Sequence, residues 1–177
     1  MREMKPVAMV MRRAALCGVA VCAAVIAPVF AQNSVEPPAE QKAMLTAKGD
    51  GVQIYVCKDA AGGAQWTLVA PDAKLLDASG KVIGTHGAGP HWKSVDGSLV
   101  KGQVVAKNNA PGAGDVAWLL LKASGHEGDG VMSKVEYIRR TETHGGAAPA
   151  AGCDAQHLNV EVRVPYTATY TFYSAKN

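Results

Sequence analysis

From Gly51 onward, apolar and polar residues change places at every second position over short stretches, with Gly, Pro, Asp or Asn between them. That period belongs to a strand, because successive side chains of an extended backbone point to opposite faces. Val52, Ile54 and Val56 alternate with Gln53, Tyr55 and Cys57, which predicts a first strand with two chemically distinct faces. Lys58 to Gly63 reads as a turn and Gln65 to Val69 as its hairpin partner; Leu75 to Gly84 repeats the arrangement about a turn at Asp77 to Gly80. Val100, Gly102, Val104 and Ala106 alternate with Lys101, Gln103, Val105 and Lys107, as in a half-buried strand. Val116 to Leu121 is apolar throughout, a run that periodicity alone leaves open between a covered strand and a buried helix segment. Its brevity and flanking glycines favour the strand.

Asn108 to Gly114 and Ser124 to Gly130 are glycine-rich and predict loops. Val131 to Thr141 resumes the alternation, and Thr143 to Asp154 is a Gly/Ala/Pro connection that carries Cys153. Val160, Val162 and Val164, then Tyr166, Ala168, Tyr170 and Phe172, alternate with polar neighbours across Pro165, where the missing N–H predicts an edge or a bend. Roughly eight to ten short strands with no long amphipathic helix predict an all-β fold, an antiparallel β-sandwich or flattened barrel. The polar, Pro-containing residues 32–49 read as a linker or N-terminal arm with at most a short helix across Ala39 to Thr46, leaving 50–177 as a single domain.

Residues 1–31 change the accounting for everything after them. Arg2, Lys5, Arg12 and Arg13 precede the apolar run Ala14 to Phe30, and Val29-Phe30-Ala31 has a cleavage-site pattern, which predicts a signal peptide removed after Ala31 and an exported chain, periplasmic or secreted. The run is shorter than the ~20 residues of a membrane span, so no span is expected in the mature form. Val21 stands where a small residue precedes a lipidated cysteine, which argues against lipidation at Cys22. Of 18 Lys+Arg and 15 Asp+Glu, four and one lie in residues 1–31, so fourteen of each sign remain. A mature chain of zero formal charge has no basic footprint for nucleic acid. Cys17 and Cys22 leave with the same segment, and the remaining Cys57 and Cys153 predict one disulfide.

Candidate chemistry concentrates in Thr85 to Ser98, which holds His86, His91, Trp92, Asp96 and Ser98 among glycines and Pro90. Two imidazoles supply only half of a zinc site, and no His-Glu-x-x-His or paired-cysteine spacing supplies the rest; Asp96, His126, Glu127, Asp129 and His144 would have to be brought in by the fold. Glu127-Gly128-Asp129 lacks the alternating oxygen ligands of a calcium loop. Ser98 and Ser124, with His86 or His126 as base, are nucleophile candidates, but neither serine sits in a Gly-x-Ser-x-Gly elbow. Trp66 and Trp118 lie in apolar strands and read as core, whereas Trp92 is either an exposed platform for a sugar or aromatic ligand or a plug that holds its loop.

Several motifs recur together in order: Gly51-Val52-Gln53-Ile54-Tyr55 with Cys57, Gly84-Thr85-His86 with Gly89-Pro90 and Trp92, Asp96-Gly97-Ser98, Trp118 to Leu121, Tyr137-Ile138 with Arg140, Gly145-Gly146 with Ala148-Pro149 and Cys153, and Val164 to Ala168 with Tyr170 and Phe172-Tyr173. This set resembles the secreted bacterial and fungal family catalogued as domain of unknown function 3455. The resemblance spans almost all of the chain after Gly51, includes His86 but neither His91 nor His126, and implies export and a shared fold while supplying no activity. The expectation is therefore a non-enzymatic module for a small ligand or a cell-surface component, with no cofactor, no metal and no catalytic residues. Its ligand face would be His86, His91, Trp92, Asp96 and Ser98. The alternatives are a secreted hydrolase or metal-assisted enzyme using His86 and Asp96, and a structural envelope protein.

Overall fold

The alternation in the last strand is the most regular in the chain, and the rest of the molecule is built against it. In the computed structural model, which describes residues 34–176, the strand Glu161–Ala175 (β8) turns Tyr166, Ala168, Tyr170 and Phe172 into the interior, where all four are buried. Seven strands precede it: β1 (Gln41–Lys58), β2 (Gln65–Leu76), β3 (Val82–Gly87), β4 (His91–Ser94), β5 (Leu99–Asn108), β6 (Trp118–Glu127) and β7 (Tyr137–Gly145). Each pairs antiparallel with the next in chain order, and β8 returns to pair with β1, so the sheet closes into a ring. The ring is incomplete between β2 and β5: β3 pairs with β2 only over Ala73–Leu76 and β4 with β5 only over Leu99–Lys101, so the first part of β2 and the last part of β5 face each other without a strand between them. The all-β antiparallel expectation holds, and the eight strands of the ring are compatible with a flattened barrel.

Several local expectations are corrected. Residues 41–49 are not linker or helix but the first half of β1, paired with β8 from Gln41 opposite Ala175. Their inward positions are the small Ala47 and Gly49, because Tyr170 fills the space beside them, and a β-bulge between Ala43 and Leu45 breaks the period. Val131–Lys134 is a 3-10 helix rather than the start of a strand, and β7 runs on through Thr143 and His144. Ser124 to Glu127, expected as loop, completes β6. Pro165 lies inside the span of β8 but at a local edge, as its missing N–H requires: it faces Val52 of β1 on one side, and on the other the β7 ladder stops at Gly145 opposite Tyr166. Trp66 and Trp118 are only half-buried. The core tryptophan is Trp92, for which Gly102 leaves room: a Cβ there would sit 3.0 Å from its ring.

Cys57 in β1 is disulfide-bonded to Cys153 across 96 residues, which ties the loop after β7 back to the first strand. The expected leader and cleavage site, with Cys17 and Cys22, fall outside the described residues. Among the described residues no helix is long and apolar enough to cross a membrane.

Candidate functional site

Alternation within the β3–β4 hairpin decides which of its side chains reach the interior. His86 and Trp92 are directly opposite in register, so both point to one face. Their rings stack in parallel, with centroids 4.4 Å apart and 4° between planes. Tyr170 meets both edge-on, at 5.2 Å from His86 and 5.7 Å from Trp92, and Phe172 closes the far side of the indole at 6.2 Å. Burial holds the His86 imidazole neutral, lowering its pKa to about 3. Its Nδ1 lies 2.8 Å from the His91 carbonyl oxygen, which can only accept; Nδ1 therefore carries the hydrogen and Nε2 the lone pair. The Trp92 Nε1–H is buried without a partner.

The His86, Trp92 and Tyr170 rings form one wall of a cavity of about 220 Å³, which is also lined by Gln53, Leu121 and Arg140. Gln53 is almost fully buried, and although its amide lies near the Tyr166 hydroxyl, its Nε2 has no hydrogen-bond partner. A more open basin of about 700 Å³ shares the wall residues Leu68, Val104, Leu119 and Arg140 with the cavity. Leu68, Val69 and Val104 are about half-exposed, giving the cavity an apolar rim. Arg140 belongs to both spaces, and its Nε and Nη2 donate to one carbonyl oxygen, that of Ala117, at 3.1 and 2.8 Å. No carboxylate pairs with it among the described residues. Its positive charge opposes the effect of burial, which raises the Tyr55, Tyr166 and Tyr170 hydroxyls above the ordinary phenol range. Tyr166 and Tyr170 share a hydrogen bond of 3.1 Å.

Asp96 and Ser98 stand elsewhere. Asp96 Oδ1 accepts from the Ser98 hydroxyl at 2.6 Å and from its N–H at 2.9 Å, and Oδ2 accepts from the Val131 N–H at 2.9 Å. Ser98 Oγ in turn accepts from the Met132 N–H at 3.0 Å. The pair thus supplies acceptors for the first N–H groups of the 3-10 helix, which no intrahelical carbonyl can satisfy. These hydrogen bonds, from Ser98 first, hold the Asp96 carboxyl well below the usual carboxylate range. Gly97, with φ of +91°, makes the turn between them. His91 is half-buried, with Nδ1 at 2.7 Å from the Ala88 carbonyl oxygen, and His126 Nε2 lies 2.8 Å from that of Val135. Among the described residues no three of His, Cys, Asp or Glu come together as a metal site.

Of the five expected ligand residues, the fold brings His86 and Trp92 to the cavity and places Asp96 and Ser98 in a turn clamp. The residues that sequence reasoning did not select are Gln53, Arg140 and Tyr170. Gln53 carried one available sign, a neutral polar residue inside a strand, on the face with Tyr55 and Cys57. That face proves to be the buried one.

A family model described as a protein of unknown function, DUF3455, matches residues 38–174. No curated protein and no solved structure matches the chain.

Proposed function

The chain belongs to the DUF3455 family, whose description assigns no activity, and we propose that it is a non-enzymatic small-ligand-binding domain that holds its ligand inside the closed sheet. The observation that carries this reading is the cavity itself. A cleft of about 220 Å³, open to solvent between the half-exposed Leu68, Val69 and Val104, reaches in to the largest buried ring of the molecule. An apolar wall with a few polar side chains, here Gln53, Arg140 and Tyr170, is the ordinary constitution of a ligand pocket. The volume suits a molecule somewhat larger than benzene, which fills an apolar cavity of roughly 150 Å³.

Export belongs to the same proposal. It rests on the basic, apolar and small-residue succession in residues 1–31, and the Cys57–Cys153 disulfide suits an oxidising compartment. Hydrolysis draws no support from the geometry: both Asp96 oxygens are engaged by Ser98 and Val131, and His86 gives its Nδ1–H to its own hairpin.

The test is saturation-transfer NMR with benzyl alcohol and benzoate on the mature protein and on Val104→Trp. The added indole at the half-exposed rim closes the entrance without burying a polar group. Binding of either probe to the natural chain, lost in the variant, supports the reading. Absence of binding by both at millimolar concentration contradicts it.

A further inference from the structure

We propose that the ligand is a small organic acid, its carboxylate seated on Arg140 and its short apolar body lying against Trp92 and His86. This rests on the cavity being the ligand site. The lining of the inner cavity contains no Asp or Glu, and its histidine is neutral, so Arg140 is its one formal charge. The outer basin adds Lys107 and Asp115, and Asp115 Oδ1 is already engaged by the Gly145 N–H at 2.6 Å. A half-buried cation without a counter-charge is costly to desolvate, and an incoming anion offsets that cost.

The hydrogen-bonding inventory points the same way. Guanidinium has five N–H donors and no acceptor. One edge of Arg140 is spent on Ala117, which orients the group, and the guanidinium also reaches the Tyr170 hydroxyl, so part of its five-donor set remains for a ligand. Gln53 and Trp92 belong to the same wall, with Nε2 and Nε1 fully buried and unpartnered behind its surface, and the Tyr170 hydroxyl is shared with Tyr166 and Arg140. A guanidinium with donors to spare complements a group that only accepts, and an ionised carboxylate is that group. The stacked His86 and Trp92 rings and Leu121 leave the remainder of the space apolar, which excludes a large polar body such as a sugar.

The experiment is isothermal titration near neutral pH with two matched pairs, benzoate against benzyl alcohol and hexanoate against hexanol. Each acid is expected to bind at least about tenfold more tightly than its alcohol, in line with a charge-assisted hydrogen bond in place of a neutral one. Arg140→Gln should reduce acid affinity by about the same factor and change alcohol affinity far less, while Arg140→Lys, which keeps the charge but loses the planar fork, retains part of the acid preference. Benzoate without hexanoate would mark the flat aromatic acids as the occupants; the reverse would mark aliphatic acids. Equal affinity for acid and alcohol, or an acid preference that survives Arg140→Gln, overturns the acid assignment and leaves the cavity standing. Failure of all four probes overturns both. Should loss of the Ala117 contacts unfold Arg140→Gln, the acid-to-alcohol ratio in the natural chain and in Arg140→Lys still decides.

Discussion

The β3–β4 hairpin and the turn after it lie within the single run from Val82 to Ser98, and both carry side chains of catalytic or ligand-binding type. In the hairpin, His86 and Trp92 are cross-strand neighbours on the inward face, so they become cavity wall. In the turn, Asp96 and Ser98 face the 3-10 helix and spend their oxygens on its backbone. Residue type is similar in the two places; what differs is whether the hydrogen-bonding groups are used up within the fold. Asp96 has both oxygens engaged by its own turn and the 3-10 helix, whereas Arg140 stands at the cavity without a counter-charge, and Trp92 Nε1 and Gln53 Nε2, in residues of the same wall, have no partner. Unspent capacity next to a cavity is the better guide to a site than the density of reactive residues.

Removing Trp92 should separate the two regions most strongly. Trp92→Ala is expected to cost about 3–5 kcal/mol in urea unfolding, the range for truncating a buried large aromatic, and to alter probe affinity at the same time.

Acid should separate them by pH window. The folded pKa of His86 is depressed, so between the ordinary value of 6.5 and about 3 the unfolded chain binds the extra proton, and stability falls as pH falls. A loss on the order of 2–3 kcal/mol between pH 6.5 and 4.5 follows from about 1.4 kcal/mol per unit, and it should vanish in His86→Phe. Asp96 also has a depressed pKa, so its contribution is present above the ordinary 3.8 and is lost only as pH falls below that value. Denaturation curves across pH 7 to 3 should therefore show the hairpin's loss first and the turn's loss second.

Ser98→Ala should cost about 1–2 kcal/mol, because it strands the buried Met132 N–H, and it should leave benzyl alcohol binding unchanged. Binding lost in Ser98→Ala at unchanged stability would reverse the assignment of the two regions. The smallest effect is expected at His91. His91→Ala should change stability by no more than about 0.5 kcal/mol and affinity not at all, since its ring touches only the hairpin's own turn.

The course of the strands was legible wherever the inward residues were large and apolar. Tyr166, Tyr170 and Phe172 mark β8 at a glance, and the Asp77 to Gly80 turn forms as its residues suggest, with Asp77 Oδ1 accepting from the Ser79 and Lys81 N–H groups. The first half of β1 was not legible, because Ala47 and Gly49 are inward and small where Tyr170 needs the room. Three further β-bulges, between Ile54 and Tyr55, Lys101 and Gly102, and Val104 and Ala106, shift the period and hide which face is buried. The site was half legible for a related reason. Trp92 and His86 stood out by type, but Gln53 and Arg140 matter through what they lack, a partner and a counter-charge, and that becomes visible only once β1, β4 and β7 are brought around one space.

The most direct test of the interior site is the indole region of a ¹H–¹⁵N spectrum of the mature protein, titrated with benzyl alcohol and then with benzoate. The three tryptophans report from three places: Trp92 from the cavity wall, Trp66 from its hydrogen bond to Ala151, and Trp118 from the start of β6. Occupation of the cavity predicts a saturable shift of the Trp92 Nε1–H resonance with either probe, with the other two unmoved. A Trp92 resonance that stays in place while Trp66 or Trp118 shifts, or while none of the three responds, would contradict the account.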